Sequence, residues 1–111
     1  MMASDAQSAM SQALDRMWAR FLPQMQERVD TLDAAAQAFA AGPLSPERQQ
    51  EAQSAAHKLA GVLGTFGLTH GTELARELEI LYSRQNGPDP ELAACLASTA
   101  AELRTIIATR K

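Results

Sequence analysis

The sequence predicts an all-α fold: an up-down antiparallel four-helix bundle with an additional helix at its N-terminus. Three observations predict it. Apolar residues recur at three- and four-residue spacings along almost the whole chain, and no stretch alternates with period two or gathers β-branched residues. The composition is rich in alanine with leucine and glutamate, residues that lose little on entering a helix, and aromatics make up only 5%, which suits a slim bundle. Prolines and glycines cluster at points that divide the chain into helix-sized segments. A chain of 111 residues fits one domain, and such a domain buries roughly 65% of the surface exposed by its unfolded chain, enough without disulfides or metal.

Each segment carries its own evidence. Met10, Leu14, Met17, Trp18 and Phe21 form one stripe, predicting a first helix over about 5–22. Pro23 lacks a backbone donor and crowds the carbonyl of Ala19, so that helix is expected to stop or kink there. It would then pack across one end of the bundle or continue into the next helix. Met25, Val29, Leu32, Ala36 and Phe39 form a second stripe over about 24–41, closed by Gly42-Pro43. Ser45 as cap, Pro46 in the first turn and Glu47 at the positive end of the dipole open a third helix, over about 46–66 with Gly67 after it. Thr69 is expected to cap a fourth, over about 69–85, carrying Leu74, Leu78, Leu81 and Tyr82 inward before Asn86-Gly87-Pro88. Asp89-Pro90-Glu91 repeats the start pattern, and a last helix over about 90–109 presents Leu92, Leu96, Thr99, Leu103 and Ile106 or Ile107. Short connections make successive helices antiparallel neighbours.

Composition also narrows function. A formal charge of −3 argues against nucleic acid, whose binders carry a concentrated basic face. No apolar run approaches the ~20 residues of a membrane span. Met1-Met2-Ala3-Ser4-Asp5 lacks the basic-then-apolar layout of a signal peptide. Cys95 is alone, which fits a reducing compartment and a small packed residue. The expectation is a cytoplasmic, monomeric domain.

The chemistry lies in Ala55-Ala56-His57-Lys58-Leu59-Ala60-Gly61-Val62-Leu63-Gly64-Thr65-Phe66-Gly67-Leu68. At about 100° per residue, Ala55, Leu59, Val62, Leu63 and Phe66 surround the pole opposite His57. The imidazole therefore faces solvent. Ala60, Gly61 and Gly64 lie within about 60° of it, one and two turns on. A helical glycine costs about 1 kcal/mol relative to alanine, so this strip looks cleared for close approach by another protein. A hydrolytic base would need an orienting carboxylate and an oxyanion site, and one turn either side Gln53 and Gly61 offer neither. No further metal ligand faces this way. A phosphoryl carrier needs only a nucleophilic nitrogen and access, because the partner can bring the metal ion and acceptor carboxylate. Gln53 and Ser54, one turn earlier, can bond a phosphoryl group or a docked partner. His70, with Glu73 one turn on, reads as a surface or capping residue; Trp18 and Phe21 read as core anchors; and Glu73, Arg76 and Glu77 read as a charged outer face.

This stretch resembles the histidine-containing phosphotransfer (HPt) family. The likeness rests on His57, Leu59, Gly61 and Gly67, on Leu68 through Glu79 as the following helix, and on the helical layout. It implies that His57 accepts a phosphoryl group from a receiver-domain aspartate and passes it to another. It further implies no nucleotide site or other cofactor of its own, Mg²⁺ supplied by the receiver, and a hybrid sensor histidine kinase and response-regulator receivers as partners. Such a domain is a stoichiometric carrier and not a kinase. The family carries lysine three residues after the histidine; here that residue is Ala60, and Lys58 follows the histidine directly. Lys58, about 100° around the helix, is the available substitute. Two alternatives keep the helices but change the role. One is a receiver-docking module with little or no transfer. The other is a kinase dimerisation domain, which would place an acid directly after the histidine and a proline shortly downstream.

Overall fold

The computed structural model describes residues 2–84 and 89–110, with side chains from Gln7 onward, and the Asn86-Gly87-Pro88 break lies outside the described residues. Four helices follow in order: α1 (Met2–Ala41), α2 (Pro46–Thr65), α3 (Thr69–Ser83) and α4 (Pro90–Thr109). Each packs on its two neighbours around a ring, with α2 against α3 and α1 against α4 as the broadest contacts.

The N-terminal segment is not a separate helix across the bundle end but continues into the next one, the second of its two expected placements. Residues 2–41 are one helix with Pro23 inside it. A mid-helix proline costs about 3 kcal/mol, but burial on both sides of it offsets that loss. Trp18 and Met25 are both buried, Phe21 and Leu22 pack against the same core, and Pro23 itself faces solvent. The stripe from Met10 was also expected to be buried throughout. Met10 is instead 67% exposed, because α1 is 40 residues long and its partner helices span 20, 15 and 20, and Met17 is 42% exposed because it points about 100° around the helix from buried Trp18. The start of α1 therefore outruns the bundle, and the molecule measures 59 × 22 × 18 Å.

The remaining start signals act largely as read. Ser45 Oγ accepts from the Arg48 amide at 3.2 Å, and Asp89 Oδ1 accepts from Glu91 and Leu92 at 2.9 and 3.2 Å. Thr69 is not a cap. It is the first residue of α3, and Leu68 occupies the cap position without a side-chain bond. The core runs through Met25, Val29, Leu32 and Phe39 of α1, Leu59 and Leu63 of α2, Leu78 and Tyr82 of α3, and Leu96, Leu103 and Ile107 of α4. Val62 and Phe66 are only partly buried. Tyr82 donates to the Leu32 carbonyl at 3.5 Å, and burial, with Asp33 nearby, pushes its phenol up to about 12. By length and composition α4 could cross a bilayer, yet its Leu96, Leu103 and Ile107 are buried in the bundle. Cys95, expected to be packed, is exposed.

The α2–α3 turn sets the geometry of the site. Gly67 adopts φ 73, a left-handed conformation that favours glycine. Its amide bonds Gly64 O at 3.1 Å while the Leu68 amide bonds Leu63 O at 3.0 Å, the paired closure of a Schellman ending. Leu68 O then accepts from the Thr72 amide at 2.9 Å and from Thr72 Oγ1 at 3.0 Å. With three residues between the helices, positions equidistant from Leu68 come level across the hairpin. A Cβ built on Gly64, for example, would sit 3.7 Å from Thr72 Oγ1, each four residues from Leu68.

Candidate functional site

His57 stands midway along α2 with its side chain 73% exposed, as the helical wheel requires. The hairpin register brings it level with Glu79, since each lies eleven residues from Leu68. Nδ1 of His57 is 2.9 Å from Glu79 Oε2, and the Glu79 side chain is 29% exposed. A carboxylate only accepts hydrogen bonds, so Nδ1 carries the proton and donates it. The lone pair of the neutral ring is thereby assigned to Nε2, on the solvent side. Gln50, Gln53 and Ser54 join His57 and Glu79 around a shallow depression of about 300 Å³.

Glu79 and Gln50 are the residues that sequence reading missed. The expectation of an imidazole without an orienting acid is overturned, because a wheel of α2 sees α2 alone and Glu79 arrives from α3. The signal was present in the tight Phe66-Gly67-Leu68 turn, which makes the hairpin register readable. Glu79 sits next to buried Leu78 and one turn beyond buried Ala75, on the edge of the α3 seam that faces α2. Gln50 is two helical turns before His57 and shares its stripe.

The other expected site residues divide. Gln53 and Ser54 are beside the imidazole. Lys58 is exposed but lines, with Arg28, Thr31, Glu47 and Glu51, an adjoining depression on the α1 side that shares Gln50 and Ser54 with the one at His57. Ala60 does not belong to an open strip; it is 6% exposed, because α3 covers that flank of α2. Gly61 is open, with nothing within 4 Å of an added Cβ, whereas one on Gly64 would make an ordinary contact with Thr72. His70 is not simply solvated: its Nε2 lies 2.8 Å from Glu102 Oε1 on α4. Among the described residues no cluster of three or more His, Cys, Asp or Glu could hold a metal ion.

At the end of the bundle where α2 stops, Phe66 meets Trp18 edge-on with centroids 5.1 Å apart. The Arg110 guanidinium covers Trp18 at 4.9 Å and pairs with Asp15 at 3.0 Å. This cluster ties α1, α2 and the end of α4 together, and so holds the helix that carries His57 from one end.

The sequence profile of the Hpt domain matches residues 16–109. The chain belongs to the Hpt domain family. It is also 33% identical over 101 residues to protein RcaC of Microchaete diplosiphon, covering 91% of this chain and 16% of RcaC. The chain thus spans about a sixth of that relative's length. No solved structure matches it. As an Hpt domain it is a phosphotransfer module of two-component signalling, and the four-helix architecture described above agrees with that membership.

Proposed function

We propose that this Hpt domain is a phosphorelay intermediate in which His57 accepts a phosphoryl group from one receiver aspartate and delivers it to another. The observation that carries the proposal is the 2.9 Å contact between His57 Nδ1 and Glu79 on an otherwise exposed imidazole. The carboxylate fixes the tautomer and ring orientation, leaving Nε2 as an unprotonated nucleophile open to solvent. Transfer forms an N–P bond at Nε2 as the aspartyl O–P bond breaks, and the bonding pair leaves with the aspartate carboxylate. The Nδ1 proton stays where it is, beside Glu79. The domain acts as a stoichiometric carrier without a nucleotide site, and the receiver brings Mg²⁺ and the acceptor carboxylate.

Gln50, Gln53 and Ser54 are placed to donate hydrogen bonds to the phosphoryl oxygens or to the docked receiver, and open Gly61 leaves room for it. Lys58, facing α1, is better placed for a docked partner than for the phosphoryl group. The partners of this reading are response-regulator receivers and a hybrid sensor kinase, with the domain acting as a cytoplasmic monomer. The test is to mix a phosphorylated receiver, Mg²⁺ and this protein. Acid-labile phosphate should appear on the protein, and His57→Gln should abolish it. Wild-type protein that binds receivers yet takes no label would make the domain a docking module.

A further inference from the structure

A phosphoryl group on Nε2 creates an electrostatic problem that the unphosphorylated site lacks. It brings about −1.5 to −2 charges onto the imidazole whose other nitrogen already faces Glu79 at 2.9 Å. The depression beside His57 is lined only by neutral Gln50, Gln53 and Ser54 besides Glu79 itself. With the Nδ1 proton kept, the phosphorylated ring itself carries one positive charge facing Glu79, but no side-chain cation lines the depression to share the charge of the phosphoryl oxygens.

The hairpin register identifies the nearest cation on the α3 side. Two levels of the α2–α3 contact are known: Glu79 meets His57, and Thr72 lies across from Gly64. Thr72, Arg76 and Glu79 succeed one another at four- and three-residue steps, so they share one stripe of α3. Arg76 stands between the other two, level with Ala60, and one helical turn (about 4.5 Å of rise) from the level of His57. Its side chain is exposed and makes no ion pair among the described residues. The two α2 positions it would cross are Ala60, a small residue buried beneath α3, and Gly61, where even a Cβ would meet nothing within 4 Å. Lys58, by contrast, is on the α1 flank with Arg28 and Glu51.

We infer that Arg76 swings over Gly61 to bind the phosphoryl oxygens on His57, offsetting the Glu79 carboxylate. This rests on the phosphorelay reading above and adds a residue to it. A guanidinium suits the task because it offers several donors in one plane to phosphate oxygens. Gly61 then has a second purpose: a side chain there would stand in the path of the guanidinium.

The experiment uses phosphoramidate, a small donor that removes receiver docking from the measurement. Wild-type protein should become labelled on His57, and the Arg76 Nε–Hε resonance should shift on phosphorylation. Arg76→Ala should slow labelling up to about fivefold, the scale of one exposed charged contact, and shorten the phosphohistidine half-life. Arg76→Lys should restore most of both, with all melting temperatures unchanged. Labelling rate and half-life equal to wild type in Arg76→Ala would overturn the role of Arg76 while leaving His57 in place. A wild-type protein that takes label on His57 neither from phosphoramidate nor from a phosphorylated receiver with Mg²⁺ would overturn the phosphorelay reading, and this inference with it.

Discussion

The two histidines of this domain have nearly the same surroundings, yet the proposed function assigns the phosphoryl group to only one of them. His57 pairs with Glu79 across the α2–α3 contact at 2.9 Å, and His70 pairs with Glu102 across the α3–α4 contact at 2.8 Å. Both side chains are well exposed, at 73% and 64%. The difference is which nitrogen the carboxylate holds. At His57 it takes Nδ1 and leaves Nε2, the nitrogen farthest from the backbone. At His70 it takes Nε2 and leaves Nδ1, crowded by its own main chain. On the proposed function, exposure and an acidic neighbour do not by themselves make a phosphoacceptor; the free nitrogen must also be the accessible one.

The largest effect should come from exchanging the histidines' fates. His57→Gln should abolish receiver-dependent labelling, while His70→Gln should leave it intact; label persisting on the first variant would end the distinction. Next come the carboxylates. Glu79→Gln keeps the size but can also donate to Nδ1, favouring the wrong tautomer, and should slow transfer by roughly ten- to a hundredfold. Glu102→Gln should not change the rate. Equal rates for both glutamate variants would show that the orienting bond at His57 does nothing.

A smaller effect separates access from folding at the same face. Gly61→Leu should weaken receiver binding several-fold while raising the stability of α2 by up to about 1 kcal/mol, since it removes a helical glycine without a clash; tight binding read by titration calorimetry would show that receivers approach elsewhere. Smallest of all is the structural worth of the second pair. His70→Gln should cost at most about 1 kcal/mol in urea denaturation, the range of exposed ion pairs. A larger loss would make His70 a structural strut between α3 and α4.

The site was readable in part. The outward aspect of His57, the core stripe behind it and the Gln53–Ser54 turn all follow from the geometry of one helix and were legible without a structure. Glu79 was not, because its approach depends on how closely the Gly67 turn folds α3 back. The burial of Ala60 and the placement of Lys58 on the α1 side were missed for the same reason: a single-helix wheel cannot tell which flank a neighbour will cover. Pro23 misled for a different reason. Its local cost is real, but Trp18 on one side and Met25 on the other are buried in the same core, and tertiary packing outweighs a local propensity of that size.

By itself the sequence determined the helical class, most of the boundaries, the caps at Ser45 and Asp89 and the direction in which His57 points. All of these are set by short-range chemistry: side-chain periodicity, missing donors at proline and local hydrogen bonds. Only the tertiary structure decided that α1 is continuous and outruns its partners, that α3 covers Ala60, and that Glu79 grips Nδ1 while Glu102 takes Nε2 of His70. Those outcomes depend on contacts between residues far apart in the chain, whose register is set jointly by the turn and by the burial of the whole core.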